Sequence, residues 1–96
     1  MTRYLTLVTF TDEGISAIEK TLNRAADFRA MVEEVGGKVV SQYWSVGEVD
    51  GCFVFEAPDE TTAAALLLSL AKQGHVRTRT MRVYDEQEFQ AVLSKS

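Results

Sequence analysis

Two side chains in this sequence have the chemistry of a proton-transfer site, Glu56 and His75, and His75 is the single histidine of the chain. A carboxylate held among apolar groups either pairs with an arginine or has a raised pKa, the second being what a general acid or base needs. Strand alternation points Glu56 to the uncovered side of a sheet, where Arg82 is its expected partner. His75 follows Gly74 at the mouth of a strand and reads as a solvated strand-end residue, with a base or ligand role as the alternative. Around these stand Thr6, Tyr43, Trp44, Asp50, Thr78 and Arg82, which suit a ligand pocket of apolar walls with a few convergent polar groups. Such a pocket, between sheet and helices or between two paired sheets, would hold a small aromatic or carbonyl compound. Glu56 or His75 would then be the base of a cofactor-independent monooxygenase or isomerase. Each residue also has a plainer role: Asp50, between glycines, as a turn former bonding backbone N–H groups, and Tyr43 and Trp44 as packing groups.

Other chemistries find no footing. The chain has no phosphate loop, no Cys-x-x-Cys or His-x-x-His pair and no G-x-S-x-G elbow. One histidine among scattered carboxylates has no metal-ligand spacing, so neither a metal nor another cofactor is expected. The lone Cys52 cannot close an internal disulfide. A net charge of −4 argues against a nucleic-acid partner. Arg77, Arg79 and Arg82 do form a local basic group, but Arg79 and Arg82 fall on opposite strand faces, and salt bridges are the better reading. The longest apolar run, Ala63 to Leu68, is far too short to span a membrane. The chain opens directly into a strand-like alternation with no signal-peptide pattern, so a cytoplasmic protein is expected.

The elements that position these residues follow from periodicity. Arg3 to Phe10 alternates as a strand with large groups on both faces. Thr11 or Asp12 caps a long amphipathic helix whose stripe is Ile15, Ile18, Leu22, Ala25, Phe28, Val32 and Val35, closed by Gly36-Gly37. Lys38 to Val46 and Cys52 to Ala57 form an antiparallel hairpin about Gly47–Gly51. Pro58 halts it, Asp59 caps a second helix striped by Ala63, Leu66, Leu67, Leu70 and Ala71, and Gly74 ends that helix. His75 to Tyr84 alternates as a fourth strand, and Asp85 with Glu88 opens a short C-terminal helix carrying Phe89, Val92 and Leu93.

The order β-α-β-β-α-β-α predicts one α+β domain over residues 1–96: a ferredoxin-like βαββαβ sandwich. Right-handed crossovers put both long helices on one face of a four-stranded antiparallel sheet, with the short helix at the C-terminus. Leu5, Leu7, Phe53 and Phe55 are expected against the helices. Tyr4, Thr6, Val8, Phe10, Cys52, Val54 and Glu56 are expected on the open face. An apolar face of that size marks an interface or a ligand groove, and a homodimer or higher homo-oligomer is the economical occupant.

The stretch Gly47-Glu48-Val49-Asp50, a short apolar strand, and Glu56-Ala57-Pro58-Asp59 resembles the GYD-domain family. So do Tyr4 to Val8 with Thr11 to Ile15 at the start, and Gly74-His75-Val76-Arg77-Thr78 before the last strand. The resemblance covers nearly the whole chain, with one departure: Val49 stands where the family has the tyrosine of its name. It implies a ferredoxin-like domain of the dimeric α+β barrel kind. Monooxygenases, isomerases and ligand-sensing modules share that architecture, and fold does not choose among them. A homo-oligomer that binds a small molecule, or serves a structural or regulatory role through its sheet face, is expected first because no catalytic constellation is evident.

Overall fold

The computed structural model describes residues 1–96. Strand β1 (Thr2–Phe10) leads through the N-cap Thr11 into a short helix α1 (Asp12–Ser16), a 3-10 turn (Ile18–Lys20) and helix α2 (Thr21–Glu34). Strands β2 (Lys38–Trp44) and β3 (Gly51–Ala57) follow, then helix α3 (Glu60–Lys72), strand β4 (Val76–Val83) and helix α4 (Glu86–Ser94). The four strands make one antiparallel sheet in the order β2-β3-β1-β4, leaving β2 and β4 as its edges.

The expected single long helix is broken. Ala17, at φ −124° and ψ 39°, lies outside the helical region and divides α1 from the 3-10 turn and α2. The apolar positions therefore do not form one stripe: Ala25, Phe28 and Val32 are buried, whereas Ile15, Leu22 and Val35 are largely exposed. The end of α2 follows expectation. Gly36, at φ +85°, and Gly37 donate to the Glu33 and Val32 carbonyls, the paired bonds of a Schellman motif.

The strand faces require a second correction. Antiparallel register pairs Tyr4 with Phe55 and Thr6 with Phe53, so even residues of β1 share a side with odd residues of β3. Tyr4, Phe53, Phe55 and Ala57 thus join Phe28 and Val32 of α2 and Ala63, Leu66 and Leu70 of α3 in one core, with Val8 packed against it. Leu5 and Leu7, expected against the helices, point the other way. The uncovered face carries Arg3, Leu5 and Leu7, with Cys52, Val54 and Glu56 of β3 and Arg79, Met81 and Val83 of β4 paired beside them.

The starts of α1, α3 and α4 are set by side-chain caps. Asp59 accepts from Thr62 N–H at 2.8 Å, and Asp85 with Glu88 forms a complete capping box. The bonds from Thr62 hold the Asp59 carboxyl below the ordinary aspartate pKa. A carboxyl depressed on folding contributes stability above its unfolded pKa and loses that contribution as pH falls through its lower folded value. Carboxyl NMR titration of Asp59 is therefore expected to give a midpoint below that of a free aspartate; an ordinary midpoint would contradict the cap.

Candidate functional site

A solvent-open recess lies between the helices and one end of the sheet. Arg24 and Phe28 of α2, Phe53 of β3, Trp44 at the end of β2, Asp50 and His75 are among the residues that line it. Each reaches this place for a local reason. Trp44 lies opposite Gly51, and its indole N–H donates to Thr21 Oγ1 at 3.1 Å, tying the end of β2 to the start of α2. Asp50 joins the β2–β3 turn to β1: its N–H donates to Val8 O, and its Oδ2 accepts from Phe10 N–H at 2.8 Å. It bonds backbone amides as a turn former does, but across the sheet.

His75 is placed by a backbone junction. Thr11 N–H donates to His75 O at 3.1 Å, and Thr11 Oγ1 donates to Gly74 O at 2.7 Å. Gly14 packs so closely that a Cβ there would stand 2.0 Å from His75 O. The His75 Nδ1 atom is buried without a hydrogen-bond partner. Arg24 is half-buried in the recess wall and makes neither an ion pair nor a hydrogen bond. The ion pairs of the structure belong instead to Arg3 and Arg82, at the opposite end of the sheet.

Of the residues expected to form one pocket, Tyr43, Trp44, Asp50 and His75 are brought together here, Tyr43 with 65% of its surface exposed. The others are dispersed. Thr6 is fully buried under the helices, bonded to Thr80 Oγ1 at 2.9 Å, and Thr78 pairs with Val8 outside the recess lining. Glu56 does not meet Arg82. It lies on the uncovered face and accepts from Arg3 Nη2 at 2.8 Å, while Arg82 is paired with Tyr4 on the helix side. The Arg3 guanidinium is shifted above the ordinary arginine pKa, chiefly by its hydrogen bond to Glu56. Arg82 stacks over the Tyr84 ring, 4.4 Å from its centroid, and approaches Glu88 to 3.9 Å. The same parity that turned Leu5 and Leu7 outward separated this pair. Arg24, Phe28 and Phe53 were not foreseen as site residues. Only the meeting of α2 with the β2–β3 turn distinguishes Arg24 from the solvated cations beside it.

A family profile for the GYD domain matches residues 4–93. The chain belongs to the GYD-domain family. A curated relative from Thermus thermophilus, named "Glutamine synthetase and cystathionine beta-lyase binding protein", is 35% identical over 82 residues, covering 84% of this chain and 86% of its own. Among solved structures, a feast or famine regulatory protein from M. tuberculosis, complexed with L-methionine, superposes with a TM-score of 0.66 at 19% identity over 88% of this chain. A leucine response regulatory protein of Mycobacterium tuberculosis gives 0.64 at 20% identity, again over 88%. This GYD domain spans about half the length of those two chains, 51% of each, and the likeness establishes the α+β fold alone.

In this GYD domain the motif Gly47 to Asp50 forms the β2–β3 turn. Val49, in the tyrosine position, offers its carbonyl to Ser45 Oγ at 2.7 Å, and Asp50 keeps its place in the recess wall. No helix is long and apolar enough to cross a membrane.

Proposed function

We propose that this GYD domain is a cytoplasmic regulatory module. Residues 1–96 act as one domain, its two long helices cover one sheet face, copies join through the other, and the assembly binds a small ligand and docks on partner enzymes. The observation that carries the reading is the uncovered sheet face. Leu5 sits there between Val54 and Met81, and Met81 remains 48% exposed. Contiguous apolar surface of this kind is characteristic of an interface. The name of the Thermus thermophilus relative supports a protein-binding role, and the regulator complexed with L-methionine supports a ligand-responsive one.

Leu5→Asp is the direct test, because it puts a charge between Val54 and Met81 on the joined face. The unaltered protein is expected to have the mass of a dimer or larger assembly by light scattering at micromolar concentration. The variant is expected to have the mass of a monomer with an unchanged circular dichroism spectrum. A monomeric unaltered protein, or an unchanged mass in the variant, would refute the interface.

A cofactor-independent enzyme is the second reading, favoured by the unpartnered Nδ1 of His75 beside the recess. With Glu56 committed to Arg3, His75 alone would have to serve as its base.

A further inference from the structure

The chemical class of the ligand follows from the one cationic group in the recess lining, Arg24, which has no partner. Arg24 carries a permanent positive charge on a half-buried side chain, with no carboxylate within ion-pair distance. A guanidinium beside apolar walls is matched well by a carboxylate that fits its planar fork.

The rest of the lining limits what the anion can be. Phe28 and Phe53 present apolar rings, their centroids 5.1 Å apart, and Trp44 adds an indole at the rim. Asp50 also lines the recess, with its Oδ2 committed to the Phe10 N–H. We infer that the recess binds a small monocarboxylate bearing an apolar group, with its carboxylate on Arg24 and the apolar part against Phe28 and Phe53. This deepens the small-ligand half of the proposed function and is independent of the sheet interface.

The chain has one tryptophan, so Trp44 reports occupancy of the recess by its own fluorescence. The probes are 3-phenylpropionate and 4-methylpentanoate, each titrated beside its neutral primary amide. Saturable fluorescence change with an acid and not with its amide is expected. Arg24→Gln should weaken that binding about tenfold, the loss expected of a charge-assisted pair. Arg29→Gln, on the exposed side of the same helix, should leave it unchanged. Equal binding of acid and amide, or full binding by Arg24→Gln, would overturn the carboxylate assignment and leave a small-ligand site standing. Saturation by none of the four compounds would overturn the assignment and the small-ligand reading with it.

Discussion

Phe55→Ala is expected to destabilise the fold by about 3–5 kcal/mol, the usual cost of truncating a buried aromatic residue. Phe55 has no exposed surface and stands at the centre of the aromatic core. Its ring lies 5.3 Å from Tyr4, 5.8 Å from Phe53 and 6.1 Å from Phe28, joining two strands to α2. Removing it loses the transfer free energy of the ring and opens a void that α2 and α3 cannot fill without shifting. Small domains have only about 5–15 kcal/mol of stability in all, so the variant should unfold at a much lower urea concentration. A cost below about 1 kcal/mol would mean that the helices do not close over this ring.

Gly14→Ala is expected to be the second large loss, about 3 kcal/mol, at the upper end of ordinary overpacking. An exposed helical glycine replaced by alanine gains about 1 kcal/mol, so the two cases differ in sign. Gly14 is buried, and the added Cβ would meet the His75 carbonyl at 2.0 Å, a backbone atom that no rotamer change can move aside. Relief requires α1 to separate from the Gly74–His75 loop and break the Thr11 bonds that join them. Urea denaturation monitored by far-ultraviolet circular dichroism measures the sign directly. A stabilised variant would show that the junction is looser than the structure describes.

The order of elements was legible because each has a local signal: alternation in β1 and β4, Gly36-Gly37 after α2, Asp59 before α3, and the capping box of α4. The break at Ala17 was not, since the spacing from Ile15 to Val35 fits a helix and only contacts across the fold show which of those residues are covered. The β1 face was misread for a related reason. Alternation divides a strand into two sets but does not say which is inside when both are apolar, as Tyr4 and Val8 are against Leu5 and Leu7. Register with β3 decides it, and register depends on pairing distant in sequence. The recess was half visible. Tyr43, Trp44, Asp50 and His75 stood out by type, whereas Arg24 gained its place only when α2 met the β2–β3 turn.

The arginines of β4 bear on how this molecule avoids fibrous growth. An edge strand offers free amides and carbonyls to any other strand, the route by which sheets extend into filaments. Here β4 carries Arg77, Arg79 and Arg82 along that edge, and the other edge, β2, begins with Lys38 and has an irregularity in register between Val39 and Ser41. Two copies brought edge to edge would set like charges against each other or meet a distorted ladder. Charge and irregularity at the rims thus oppose open-ended strand addition and favour contacts that close on themselves.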